Sequence, residues 1–121
     1  GNTIDAINFY RDWIGENNER CIVAGDFNNS IIWDKKGNDN NFNNINGHFV
    51  DLGFVSNYHK LKDEGFGKES SATFFHTKKE SKKYHIDYIY SKNLNPLDLK
   101  VGTYSEWISY SDHSPLIAEL D

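Results

Sequence analysis

The sequence has little that could hold it together covalently. Its 121 residues include one cysteine, two prolines and no methionine. The single Cys21 excludes a disulfide framework or a thiolate zinc site built within the chain, and its apolar neighbours indicate a buried core thiol. A lone cysteine fits a reducing compartment, so we expect a cytoplasmic protein. The sequence also lacks an apolar run near the roughly 20 residues of a membrane span and a basic-then-apolar leader, so we expect no membrane span.

Composition indicates one globular unit with a net negative charge. Hydrophobic residues make up 37% and aromatic residues 15% of the chain, which excludes a disordered protein, and residues 1–121 are enough for a single domain. The net charge is −5, but residues 60–83 carry more basic than acidic side chains. This basic stretch is either a solvated loop or a patch that steers an anionic substrate. The overall acidity disfavours tight, non-specific binding to a nucleic-acid duplex.

Hydrophobic periodicity predicts a helix followed by a buried strand at the start of the chain. Thr3 or Asn2 can cap the helix, which we expect to end near Gly15 or residues 17–18. Its predicted inner face carries Ile7, Tyr10 and Ile14. Residues 20–25 form an apolar run typical of a strand that is buried on both faces.

The rest of the chain alternates between loops, short helices and strands. Residues 38–46 are rich in Asn and predict a loop or the approach to a helix, and short helices are predicted over 47–52 and 55–61. Four strands are predicted over 72–76, 84–90, 97–104 and 115–120. The first two of these form a hairpin around a lysine-rich loop. We expect an α/β (α+β) fold in which one mixed, mostly antiparallel sheet is flanked by helices.

Three polar motifs lie in or beside apolar runs, namely Gly25-Asp26-Phe27-Asn28, His85-Ile86-Asp87-Tyr88 and Ser111-Asp112-His113-Ser114-Pro115. An isolated Asp-x-Asn is usually a turn. Asp26, however, follows a predicted buried strand directly, and Asp87 lies within an aromatic strand. A carboxylate in such surroundings is unfavourable by several kcal/mol unless it has a partner. The motifs therefore predict a polar cluster at the ends of strands.

Histidine is the natural partner for Asp87. His85 is on the same predicted strand face, whereas His113 is in a loop before a strand, where side chains are presented to a cleft. We favour His113, because an aspartate that holds an imidazole in its protonated form makes it a phosphate clamp or general acid. Asp112 offers an oxygen ligand to a hard cation, and Mg²⁺ commonly takes only one or two carboxylates.

In this order and spacing the three motifs resemble those of the deoxyribonuclease-I-like endonuclease/exonuclease/phosphatase superfamily of metal-dependent phosphohydrolases. The resemblance runs from about Cys21 to Ala118. It implies that Asp26 orients or deprotonates the attacking water, while Asn28 holds the scissile phosphate. Asp87 would orient His113, which would neutralise charge on the phosphate.

The resemblance also implies a cofactor and substrate contacts. Asp112 would help to hold Mg²⁺, with Mn²⁺ as an alternative. Thr73 matches a position before an aromatic residue that the family often uses near its site, and Trp107 is a candidate for the wall of the substrate cleft. The implied reaction is in-line attack of water on phosphorus without a covalent intermediate.

Family members also carry an N-terminal half that this sequence does not match. Their first strands supply an Asn and a metal-binding Glu, and neither Glu16 nor Glu19 fits that position. We therefore expect residues 1–121 to form the C-terminal portion of a four-layer sandwich. Such a half would leave one apolar sheet face to be covered by the missing half or by a second copy.

Two function classes remain open. The first is a metal-dependent phosphoric ester hydrolase acting on a phosphorylated substrate, with nucleic acid among the candidates, and impaired when the chain is alone. The second is a non-catalytic half-domain that binds a phosphorylated ligand or a partner chain. A serine hydrolase built on Ser111 or Ser114 is disfavoured, because the sequence has no Gly-x-Ser-x-Gly elbow.

Overall fold

The described part of the protein combines four α-helices with seven short strands. The computed structural model describes residues 3–16 and 19–121. In chain order the elements are α1 (Thr3–Glu16), β1 (Cys21–Asp26), a 3₁₀ turn (Ile31–Trp33), α2 (Phe42–Asp51), β2 (Val55–Ser56), α3 (Asn57–Lys62), β3 (Phe74–Phe75), a 3₁₀ turn (His76–Lys78), β4 (Lys83–Tyr84), β5 (Asp87–Lys92), β6 (Pro96–Val101), α4 (Tyr104–Trp107) and β7 (Leu116–Leu120).

The described strands form three antiparallel sheets. The largest has the order β1-β5-β2, and the other two are the pairs β3-β4 and β6-β7. All pairs in the described part of the chain are antiparallel, so the mixed sheet that we expected is divided into smaller antiparallel ones. Helices together with antiparallel sheets confirm the predicted α+β class. Among the described residues, no helix has both the length and the apolar character needed to cross a membrane.

The core is an aromatic layer between α2 and the central strand β5. Phe42 of α2 stacks on Tyr88 with ring centroids 4.6 Å apart, and Phe49 stacks on Tyr90 at 4.2 Å. Burial of the tyrosines requires partners for their hydroxyls. The Tyr90 hydroxyl donates to Asn46 Oδ1 at 2.9 Å. The Tyr88 hydroxyl lies 3.0 Å from the carbonyl oxygens of residues 29 and 85. The layer therefore fixes which face of β5 points inward.

The predicted inner face of α1 is correct for two of its three residues. Ile7 and Ile14 are buried, with 5% and 6% of their surface exposed. The prediction for Tyr10 was wrong, since 54% of its surface is exposed. Tyr10 lines a groove of about 840 Å³ between α1 and β1, which no described residue fills. The alternative cap Asn2 and the predicted end at residues 17–18 lie outside the described residues.

Strand β1 also differs from its prediction, because only one of its faces packs on the core. Cys21 and Val23 pack against the core, whereas Ile22 is 51% exposed and Ala24 is exposed as well. Among the described strands, β1 is at the edge of its sheet. Exposed apolar side chains continue onto α1, where Trp13 is 62% exposed. Exposed apolar side chains are thus present along α1 and β1.

The predicted hairpin is real but shorter than expected. Its strands are β3 and β4, and the predicted strand 84–90 breaks at His85 and Ile86. The backbone N–H of Phe27 bonds to the Ile86 carbonyl at 3.0 Å, which directs the chain into the β1-β5-β2 sheet. Asp87 consequently begins β5 rather than lying in the middle of a strand.

Three other elements differ from their predicted boundaries. Helix α2 begins inside the predicted Asn-rich loop, because Asp34 accepts hydrogen bonds from the backbone N–H groups of Phe42 at 2.6 Å and Asn43 at 3.0 Å. The predicted helix over 55–61 is α3, preceded by the short strand β2. The predicted strand over 97–104 ends at Val101 and is followed by α4.

Loss of the aromatic layer should destabilise the whole fold. Phe49 is 1% exposed and stacks on Tyr90, so Phe49→Ala is expected to lower the free energy of unfolding by about 3–5 kcal/mol. Val50 is next to it on α2 but is 57% exposed, so Val50→Ala is expected to change stability by less than about 0.5 kcal/mol. Urea unfolding followed by circular dichroism measures both. Similar losses in the two variants would contradict this account of the core.

The loop after α3 should make stability depend on pH in acid. Hydrogen bonds from Ser70 and Tyr58 lower the pKa of Glu64 from 4.5 to about 2. A carboxyl whose pKa is lower in the folded state contributes stability above its unfolded pKa and loses it as pH falls toward the folded value. As the pH is lowered from about 4.5 to about 2, the urea concentration at the unfolding midpoint should decrease. This decrease should be smaller in Glu64→Gln than in the unmodified chain. The same replacement at the exposed Glu80 should leave the slope unchanged.

Candidate active site

Two carboxylates face each other across the β1–β5 pair. Asp26 ends β1 and Asp87 begins β5, and the two residues are direct partners in the antiparallel register. Gly25, just before Asp26, has φ of 148°, a value that residues with a side chain rarely adopt. Like charges directly opposite each other destabilise a strand pair unless something compensates them. The pair therefore forms an electronegative spot that favours a cationic or hydrogen-donating neighbour.

His113 is that neighbour, as the sequence predicted. Its Nδ1 lies 2.9 Å from Asp87 Oδ2, and because a carboxylate only accepts, the ring N–H is the donor. Nε2 on the opposite side of the ring lies 3.8 Å from Asp26 Oδ2. The Phe74 ring packs against the imidazole with centroids 4.9 Å apart. The histidine is thus oriented by Asp87, and its second nitrogen points to Asp26.

Asp112 and Asn28 lie beside Asp26 and His113, and they contact them differently. Asp112 Oδ1 is 4.0 Å from His113 Nε2, and the Asp112 side chain is 48% exposed. The backbone N–H of Asn28 donates to Asp26 Oδ1 at 2.7 Å, and Asn28 adopts a left-handed conformation with φ of 49°. Asn28 thereby holds one oxygen of Asp26. Its own side chain is exposed and does not line the groove described below.

Thr73 needs a correction, because it cannot contact a substrate directly. It is fully buried, with 0% of its surface exposed. Its hydroxyl oxygen accepts hydrogen bonds from the backbone N–H groups of Ile86 at 3.0 Å and Asp87 at 3.2 Å. Its carbonyl accepts from the N–H of Ser114 at 2.9 Å. Thr73 therefore supports Asp87 and the residue after His113 from behind.

An open groove of about 670 Å³ gives access to the cluster. Asp26, Asp87, His113 and Trp107 are among the residues that line it. Trp107 is 39% exposed and leans on Gly102, where a β-carbon would come within 2.5 Å of the indole. The close approach of Trp107 thus requires glycine at this position. The structure brings Trp107 to the same groove as the catalytic candidates, as the cleft prediction requires.

The donor set of the groove fits a hard divalent cation. One oxygen of Asp26, one of Asp87 and a nitrogen of His113 lie within 4.8 Å of one another. The Asp26 and Asp112 side chains are 47% and 48% exposed, and within the described residues no Lys or Arg forms an ion pair with either. Carboxylate oxygens are the ligands that such cations prefer, so the exposed Asp26 and Asp112 side chains are candidate ligands.

Sequence reasoning missed two features around this site. The support from Thr73 left no signal, since a buried threonine before an aromatic residue is common in strands. The structure also gathers His59, Glu69 and His85 into a second cluster. His85, the alternative partner of Asp87, instead lies 2.9 Å through Nδ1 from the Ser71 carbonyl. The three residues are far apart in sequence, so their spacing gave no indication of a shared site.

Comparison with known proteins agrees with the geometry. A model of the endonuclease/exonuclease/phosphatase family matches residues 4–113, which is most of the chain and includes all three motifs as far as His113. The match extends the resemblance upstream of Cys21 to include helix α1. No curated protein matches the sequence significantly.

Removing the Thr73 hydroxyl should loosen the start of β5. Thr73→Val leaves two N–H groups, one of them fully buried in the core, without their acceptor, so we expect the free energy of unfolding to fall by about 1–3 kcal/mol. Thr73→Ser keeps the acceptor and loses only a methyl group, so we expect a smaller loss, about 1 kcal/mol. Urea denaturation measures both. A larger loss in the serine variant than in the valine variant would show that packing, rather than the hydroxyl, matters here.

Proposed function

This chain belongs to the endonuclease/exonuclease/phosphatase family, and on that premise we propose that it hydrolyses a phosphoric ester in the groove between β1, β5 and His113. The observation that carries the proposal is the His113 imidazole, which is held by Asp87 through Nδ1 and turns Nε2 toward Asp26. Two acids and an oriented imidazole in one open groove are the groups that phosphoryl transfer to water requires.

The proposed reaction is a single in-line displacement. Asp26 accepts a proton from a water molecule, whose oxygen forms a bond to phosphorus as the bond to the ester oxygen breaks. His113, carrying a proton on each ring nitrogen, would donate a hydrogen bond from Nε2 to a phosphoryl oxygen and stabilise the negative charge that develops there. Asp87 accepts the hydrogen bond from Nδ1 and keeps the ring in position. The leaving oxygen takes up a proton from solvent, so no covalent enzyme intermediate is needed.

We assign the metal role to the exposed carboxylate of Asp112, which lies beside His113. Asp112 would help to hold Mg²⁺, with Mn²⁺ as a substitute, because hard cations select carboxylate oxygens. When bound, such an ion supplies positive charge next to the phosphate and lowers the barrier to attack. For Asn28 we keep the role that the family resemblance implies, a contact of its amide with the phosphate, and its backbone N–H binds Asp26.

The substrate class follows from the wall of the groove and the charge of the chain. Trp107 offers a partly exposed aromatic surface, on which a nucleobase stacks favourably. A net charge of −5 disfavours tight binding to a duplex, which depends on many phosphate contacts. We therefore propose a small phosphodiester or a short single strand of nucleic acid as the substrate.

Activity assays test the proposal directly. Turnover of bis(p-nitrophenyl) phosphate and of a short oligonucleotide should require Mg²⁺ or Mn²⁺. Asp26→Asn and His113→Gln should each lower kcat by about 100-fold or more, since each removes a group that acts in the transition state. Asp112→Asn should raise the Mg²⁺ concentration needed for half-maximal rate. Asp98→Asn, an exposed acid on β6, is the matched control and should leave the rate unchanged.

We propose that residues 1–121 form the C-terminal portion of the family fold, so the assay compares two lengths of chain. It should be run on the 121-residue chain and on the chain in its genomic reading frame. Equal rates in Asp26→Asn, His113→Gln and the control would refute hydrolysis at this groove. Binding of inorganic phosphate without turnover in either form would favour the non-catalytic alternative, a half-domain that holds a phosphorylated ligand or a partner chain.

A further inference from the structure

A second cluster of titratable side chains is buried away from the groove. His59 is on α3, Glu69 is in the loop before β3, and His85 lies between β4 and β5. The His59 and Glu69 side chains are 7% and 6% exposed, and His85 is 5% exposed. One ligand atom from each of the three lies within 4.8 Å of the other two. Buried polar groups at such density need partners that offset their lost hydration.

His85 has a nitrogen whose partner is missing. Its Nδ1 lies 2.9 Å from the Ser71 carbonyl, and because a carbonyl only accepts, Nδ1 carries the proton. Nε2 is then a lone-pair acceptor, and it is buried without a hydrogen-bond partner among the described residues. Burial also lowers the pKa of the His85 imidazole, which favours the neutral ring. A neutral ring held through Nδ1, with Nε2 free, is the usual state of a metal-binding histidine.

His59 is also held through Nδ1, in this case by Ser56. Its Nδ1 lies 2.6 Å from Ser56 Oγ, and its Nε2 lies 2.7 Å from Glu69 Oε2. The serine hydroxyl can either donate to Nδ1 or accept from it. A proton shift to Nδ1 would therefore free Nε2 as a ligand while keeping the serine hydrogen bond. Glu69 is fixed in turn by the backbone N–H of Gly67, which lies 3.1 and 3.2 Å from its two oxygens.

We propose that His59, Glu69 and His85 form a binding site for a divalent transition-metal ion of the Zn²⁺ type. Two imidazole nitrogens and one carboxylate oxygen suit Zn²⁺, whereas Mg²⁺ selects oxygen ligands. A small cavity of about 150 Å³ is lined by Glu69, Ser71 and His85, and in this proposal it holds a water ligand of the ion. The site is separate from the groove and does not depend on ester hydrolysis.

The ion would link three segments that have no regular structure in common. It would join α3, the loop that follows it and the two residues before Asp87. Ile86 and Asp87 are bound by Thr73, so the metal would brace the same turn from the other side. Its role in this proposal is structural, and its signature is stability rather than turnover.

Metal binding to the unmodified 121-residue chain is the primary test. After dialysis against a chelator, titration calorimetry with Zn²⁺ should show one equivalent bound, and Co²⁺ should give the visible absorption of a low-symmetry nitrogen–oxygen site. Added Zn²⁺ should raise the Tm, since a ligand that binds only the folded state stabilises it. The Asp26→Asn and Asp112→Asn double variant should bind equally well. Its failure to do so would move the ion to the groove and overturn the proposal.

Variants of the cluster locate the ion. Glu69→Gln and His85→Gln should each weaken Zn²⁺ binding by about 100-fold, while His76→Gln, an exposed histidine outside the cluster, should have no effect. If the cluster variants do not fold, ¹⁵N spectra of the histidine rings in the unmodified chain decide the question. Zn²⁺ should shift the Nε2 signals of His59 and His85. Shifts at His113 alone, or no uptake of Zn²⁺ at all, would overturn the proposal.

Discussion

The opposition of Asp26 and Asp87 across one strand pair is the constraint on which the candidate site depends. Two carboxylates at register partners repel each other, and the sheet accommodates them because His113 donates a hydrogen bond to one and turns its other nitrogen to the second. This arrangement serves chemistry as well as stability. The same charges that would weaken the strand pair create the field that holds an oriented imidazole and attracts a cation.

The aromatic core sets that opposition indirectly. A slip of one residue between β1 and β5 would turn every side chain to the other face. Tyr88 and Tyr90 prevent the slip, because their rings stack on Phe42 and Phe49 and their hydroxyls have fixed acceptors. With both tyrosines inward, Asp87 is placed at the start of β5 opposite Asp26. Packing of the aromatic core thus determines the geometry within the groove.

Much of this could be predicted from short patterns, and the failures have a common cause. Asp87 could be paired with His113 because an acid among aromatic residues demands a partner, and α1 could be predicted from Ile7 and Ile14. Tyr10 was predicted to be buried from helical periodicity and Ile22 from an unbroken apolar run. Both patterns report apolar character but not what packs against it. Thr73 and the break at His85 depend on contacts across sheets, and no local pattern encodes these.

The two acid and histidine clusters differ in a way that bears on metal choice. Nitrogen ligands bind transition metals more tightly than Mg²⁺, so an exposed imidazole beside carboxylates is open to the wrong ion. In the groove a single imidazole lies among carboxylates, and one nitrogen of His113 is bound to Asp87. In the buried cluster two imidazoles converge on one carboxylate, with His85 Nε2 unsatisfied. On the proposal made above, a transition metal would bind at the buried cluster, and the groove carboxylates would be left to a harder ion.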